Sequence, residues 1–218
     1  MTGSSSSPIL EVCVETIQQG LLAENNHADR IEFCHRLDLG GVTPDHDLIR
    51  SAVNTIKIPV KIMIRPRGGD FIYSDSEVDK MKSDIRYCKS IGVEEVVLGA
   101  LNEDGEVDNR LTQRLAKLAF PMKVTFHKAI DAVNNFMSSL KTLSTMENID
   151  SVLTSGTKEN ALSGKEYIKL ASKEFSGLLN IIAAGSITNQ NLKEIHSELK
   201  MKEYHGKKIV GDLIYEDY

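Results

Sequence analysis

At 218 residues, 41% of them hydrophobic and 26% charged, the chain is long enough to bury a large core and too ordinary in composition to be disordered. Its net charge of -5 argues against general binding to a phosphate backbone, so no nucleic-acid partner is expected. No run of about 18 apolar residues occurs, so no membrane-spanning helix is expected.

The Ser-rich stretch 1–7 has no apolar core and reads as a disordered tail rather than a secretory signal. From residue 8 on, short β-rich runs alternate with longer amphipathic stretches. Strands are expected at 9–14, 30–34, 60–64, 95–98, 123–126, 151–153, 180–183 and 202–204. Helices are expected near 15–26, 44–55, 76–91, 109–119, 134–145, 158–173 and 189–199. Strands alternating with helices predict parallel strands and right-handed crossovers. Such a count at a repeat of roughly 25 residues favours a closed (β/α)8 barrel over a doubly wound sheet. No composition break marks a second domain, so residues 8–218 read as one TIM-barrel domain of the α/β class. The last unit is short. Residues 206–218 have room for at most a small closing helix, which leaves the seam poorly capped or completed by a partner subunit.

Side chains on a strand alternate faces. On the first strand Glu11, Cys13 and Glu15 share one face and Leu10, Val12 and Val14 the other. On the second, Glu32 and Cys34 oppose Ile31 and Phe33. With the apolar sets against the helices, the Glu and Cys sets point into the barrel. Polar groups also follow the later strands: Arg65-Pro66-Arg67-Gly68-Gly69-Asp70, then His127-Lys128 with Asp131, then Thr154-Ser155-Gly156, Ala184-Gly185-Ser186 and His205. In this fold the C-terminal ends of the strands carry the chemistry.

Each constellation has a plain alternative. Arg65 reads as an anion clamp beside close-approach glycines, or as the partner of a barrel glutamate such as Glu11 or Glu32. Glu11 and Glu32 read as a general acid or base, or as members of an ion network. His127 reads as a proton shuttle, a metal ligand or a hydrogen-bonded structural residue. Cys13 and Cys34, on neighbouring strands, suit Cu(I) or are small buried residues. Ser155, Gly156 and Gly185 offer donors to an anion, although Ser155 and Ser186 also suit helix capping. Asn102–Asp108 lacks the ligand alternation of a calcium loop and reads as a turn at Asp104-Gly105. Three cysteines in no C-x-x-C pattern fit a reduced, cytoplasmic setting.

The segments Leu10-Glu11-Val12-Cys13, Ala28 to Cys34, Gly40 to Pro44, Ile64 to Ser74, Val124 to Ala129 and Leu153 to Gly156 occur in order over about residues 9–205. Together they resemble the CutC copper homeostasis family. The resemblance implies a barrel, a cytoplasmic location, copper homeostasis, copper as the bound cofactor and a homo-oligomer. It points to Cys13 and Cys34 as the metal ligands, and no organic cofactor is expected. The same segments hold groups that read like an enzyme active site. The alternative is therefore a barrel enzyme acting on a small anionic metabolite, phosphorylated or carboxylated. Glu11, Glu32, Arg65 and His127 would be catalytic, with Arg30, Arg65, Asp70, Ser155, Gly156 and Gly185 about the anion. The chain departs from the family's pattern at Lys128, where Arg is common, and in its short segment after His205.

Overall fold

A computed structural model describes residues 7–214. Residues 1–6 of the expected tail lie outside the described residues. Eight parallel strands close in sequential order: β1 (Ile9–Val14), β2 (Arg30–Phe33), β3 (Val60–Met63), β4 (Glu95–Leu98), β5 (Lys123–Phe126), β6 (Ser151–Thr154), β7 (Asn180–Ala183) and β8 (Glu203–His205). The chain is thus the (β/α)8 barrel that the alternation predicts.

Helices α1 (Ile17–Asn25), α2 (His46–Thr55), α3 (Asp75–Ser90), α4 (Asn109–Ala119), α5 (Phe136–Ser144), α6 (Lys165–Glu174) and α7 (Leu192–Leu199) form the outer ring. The start of α3 is fixed by a capping box, in which Ser74 takes the Glu77 N–H and Glu77 returns to the Ser74 N–H. Asp108 caps α4 in the same position, its side chain accepting from Leu111 N at 2.9 Å.

The alternating pattern decides the two layers. Val12, Val14, Ile31, Phe33, Ile62, Val96, Leu98, Val124, Phe126, Val152, Ile181 and Tyr204 join the helices' Ala23, Ile49, Met81, Leu115, Leu140 and Ile168 in one apolar cluster. That shell between sheet and helices is the main core, and its burial is the main stabilising contribution. The other face of each strand points into the barrel.

Two local expectations shift. β8 runs one residue later than the 202–204 run, because Ile9 N takes the Lys202 carbonyl and Glu11 aligns with His205. His205 is therefore a true strand residue facing inward. No helix follows β8 among the described residues; the chain forms turns and a bridge from Lys208 to Thr188. The stretch 102–108 is a turn as expected: Gly105 N reaches Asn102 O, and Leu101 bridges Val107.

Candidate functional site

Inward side chains of a barrel stack in layers of four, contributed by alternate strands. The strand register places Arg30, Glu95, Ser151 and Glu203 lowest, then Glu11, Lys61, Thr125 and Ile182, then Glu32, Val97, Leu153 and His205. Cys13, Met63, His127 and Ala184 floor the mouth above them. Branched apolar residues usually fill such layers. Here they do so on two sides only, with Met63 and Val97 touching Cys34, and Leu153, Ile182 and Ala184 touching one another. The β8–β1–β2 side is ionic.

Glu11 is the hub of that side. Arg30 Nε donates to it at 2.5 Å, Lys61 Nζ lies 3.1 Å away and His205 Nδ1 2.7 Å. Lys61, almost fully buried, also pairs with Glu95 at 2.7 Å and donates to Thr125 Oγ1 at 2.9 Å. Arg30 pairs with Glu203 as well. Burial alone would raise the Glu11 carboxyl, but Lys61, the His205 hydrogen bond and Arg30 hold it well below the usual range. Burial opposes charge on His205 too, yet Glu32, Cys13 and Glu11 lift it well above the ordinary imidazole value. Arg30, Lys61 and protonated His205 thus balance Glu11, Glu95 and Glu203. Glu32 is the carboxyl in excess. Burial pushes it up, its Oε2 has no hydrogen-bond partner, and it stands 3.6 Å from His205 Nδ1.

Ligand atoms of Glu11, Glu32 and His205 lie within 4.8 Å of one another. Cys13 sits beside the His205 imidazole and also lines a cavity of about 120 Å³ with Gln19, Lys207 and Leu213. Cys34 lies higher, its thiol donating to Val14 O at 3.6 Å, and burial with the neighbouring Glu32 pushes it far up. Both cysteines are free and buried.

The mouth holds a second group. Arg65 is buried but pairs with no glutamate among the described residues: Nη1 donates to the Leu39 and Gly41 carbonyls at 3.1 and 3.2 Å, Nη2 to the Gly69 carbonyl at 2.7 Å. The two-pronged clamp expected of Arg65 is therefore already closed on backbone. Its Nε is buried without a partner. His127 is buried as well, its Nδ1 accepting from Ala129 N at 3.2 Å and its Nε2 unpartnered. A Cβ at Gly99 would come within 2.6 Å of this ring, so only glycine leaves it room. Burial and the Arg65 charge push His127 down to about 3, which leaves it neutral rather than a proton carrier at neutral pH.

Of the residues expected around an anion, most are engaged elsewhere. Arg30 sits at the opposite end of the barrel, where it lines an open cavity of about 800 Å³ with Lys61, Glu95 and Lys123. Starting a strand rather than ending one puts it there. Asp70 is exposed and holds Arg67 Nη2 at 2.9 Å and Ile72 N at 3.1 Å, which ties its own loop. Ser155 and Gly156 have spent their donors. The Asp131 carboxylate accepts from Ser155 N at 2.9 Å, Thr157 N at 3.0 Å, Thr154 Oγ1 at 2.5 Å and Lys128 Nζ at 2.9 Å. Gly156 N goes to Thr154 Oγ1 at 2.8 Å. Gly185 serves packing here: with φ of 105° it leaves room for Ser155, whose Cβ would stand 2.8 Å from an added methyl.

Asp131 therefore occupies the nest in which an anion was expected. Asp131→Ala should orphan the Ser155 and Thr157 N–H groups and cost about 3 kcal/mol, with formate restoring part of the loss. Urea denaturation with and without formate measures it, and an unchanged midpoint would contradict the assignment.

Alternation applied to β3, β4 and β8 would have found Lys61, Glu95 and Glu203, which strand-end reasoning passed over. Tyr73 and the anchoring role of Asp131 carry no local signal.

Similarity to known proteins agrees with this geometry. Residues 8–210 match the model of the CutC family. The human copper homeostasis protein cutC homolog is 41% identical over 93% of this chain and 74% of its own length. A CutC family protein of Histophilus somni is 37% identical over 90% of this chain and 80% of its own. The crystal structure of a CutC protein from Streptococcus agalactiae superposes with a TM-score of 0.87 at 27% identity, over 93% of this chain and 100% of that one. The chain belongs to the CutC family.

Proposed function

We propose that the chain serves copper homeostasis by holding Cu(I) inside the cytoplasmic barrel, at Cys13 with His205 and with Cys34 as the second thiol. The single observation that carries this reading is the orientation of His205 by Glu11. Histidines that bind metals commonly hand one ring nitrogen to a carboxylate, which leaves the other for the ion. Glu11 accepts from Nδ1 at 2.7 Å, so Nε2 is the nitrogen that gives its lone pair to a metal once its proton is displaced, and Cys13 lies beside the ring. Thiolate and imidazole are the donors that soft Cu(I) prefers, whereas the Glu11 and Glu32 oxygens are harder and suit orientation and charge balance better.

Cys13 lines the cavity beneath the C-terminal segment, which gives a surface route to the interior. Cys34 stays a protonated thiol until metal is present, because burial and the neighbouring Glu32 disfavour the thiolate; a bound ion would displace that proton. Free cysteines throughout fit a reducing compartment. No helix among the described residues is long and apolar enough to cross a membrane.

Anaerobic Cu(I) titration against a competing chelator tests the reading. Cys13→Ala and His205→Gln should each weaken binding by more than the about ten- to a hundredfold that losing a ligand's orienting partner costs. Cys34→Ala should weaken it less. Wild-type affinity in both Cys13→Ala and His205→Gln would rule this site out.

A further inference from the structure

The mouth group shares no residue with the copper ligands and has a chemistry of its own. Arg65 carries a buried charge with no carboxylate against it among the described residues. Its terminal nitrogens are held by neutral carbonyls, which fix the guanidinium without neutralising it. Phe71 braces the arrangement from one side, with the Arg65 Cζ 4.8 Å and the His127 ring centre 5.0 Å from its own centre. Arg65 and His127 thus flank one ring. Tyr73 belongs to the same loop, half-buried, with its hydroxyl set against the Arg65 side chain but without a well-formed hydrogen bond.

The unpartnered atoms all point to one kind of ligand. Arg65 Nε can only donate. His127 accepts at Nδ1 from Ala129, so its neutral ring carries the proton on Nε2, which donates. The Tyr73 hydroxyl oxygen faces the Arg65 side chain, which leaves its O–H to donate. Buried donors left without acceptors are costly and uncommon, and they mark places where a group is missing. The His127 Nε2–H and the Tyr73 O–H, with the uncompensated Arg65 charge beside them, suit an oxyanion.

We infer that His127 Nε2 and the Tyr73 hydroxyl, with the Arg65 charge beside them, form a binding site at the barrel mouth for the carboxylate or phosphate group of a small molecule. In this site His127 is a fixed N–H donor, and the loop Arg65–Tyr73 carries the charge and the second contact. The site does not depend on copper, and copper binding at Cys13 and His205 can fail without touching it.

The test uses the apo protein with inorganic phosphate and with acetate as separate probes. The His127 side-chain Nε2–H resonance is followed by NMR in the wild type, and affinity is measured by calorimetry in the wild type, Tyr73→Phe and His127→Gln. The expected result is a shift of the Nε2–H resonance on adding an anion, with affinity about tenfold weaker in each variant, the loss of one charge-assisted hydrogen bond. A response to phosphate alone assigns a phosphorylated ligand, and a response to acetate alone a carboxylated one. Both outcomes uphold the site. Absence of any shift with either probe, or undiminished affinity in both variants, overturns it. The wild-type resonance decides the question even where a variant fails to fold.

Discussion

Lys61→Ala is expected to destabilise the barrel by about 4 kcal/mol, a large share of the stability of any single domain. Lys61 is 1% exposed and bridges Glu11 and Glu95 across the barrel interior. Removing it leaves two carboxylates facing each other without the ammonium, and a void where its stem packed. Breaking one partner out of a buried ion network costs about 3–5 kcal/mol, because the remaining charge stays desolvated. Lys61→Met separates the two contributions, since it keeps the stem and deletes only the charge. Adding Glu95→Gln to Lys61→Met should recover part of the loss, because the new amide no longer needs a cation. Urea unfolding of the set measures this. A loss below about 1 kcal/mol for Lys61→Ala would mean that water reaches the pair and screens it.

That network also explains how much of the molecule was legible beforehand. The barrel was readable because each strand is a short β-rich run whose outer set, such as Val12 and Val14 or Ile31 and Phe33, must meet helices. The inward phase of Glu11, Cys13, Glu32 and Cys34 followed from the same alternation. What alternation cannot supply is height along the barrel axis. The stagger between neighbouring strands puts Arg30 at the bottom, Glu11 in the middle and His127 at the mouth, although all three sit on or beside strands. The interior therefore divides into an ionic centre and a mouth group instead of gathering Glu11, Glu32, Arg65 and His127 at one rim. Backbone acceptors are equally invisible in a sequence. Nothing in Arg-Pro-Arg-Gly-Gly-Asp announces that Arg65 is held by the Leu39, Gly41 and Gly69 carbonyls, or that Asp131 has taken the donors of Ser155.

Stability should fall as pH drops below 6.5, and His127 should account for much of it. Its folded value is depressed to about 3 by burial and by Arg65, against 6.5 for the free group. A depressed group binds fewer protons in the folded state, so its contribution is complete above 6.5 and is lost as pH falls toward 3. Between pH 6.5 and 4.5 the loss is about 2 kcal/mol. Other groups overlap this window in known directions. Glu32, raised by burial, favours the folded state as pH falls, and so opposes His127. Glu11, lowered by its partners, adds to the loss only below about 4.5. His205, raised above 6.5, acts on the alkaline side, where its stabilisation disappears as pH climbs through its folded value. The wild-type profile alone therefore mixes these effects, whereas its difference from His127→Gln isolates one. Glutamine fills similar space without titrating. The difference in unfolding free energy between the two proteins should change by about 2 kcal/mol from pH 6.5 to 4.5. Profiles that run parallel across that range would mean that the imidazole is solvated and charged in the folded protein, and the neutral donor at the mouth would be lost with it.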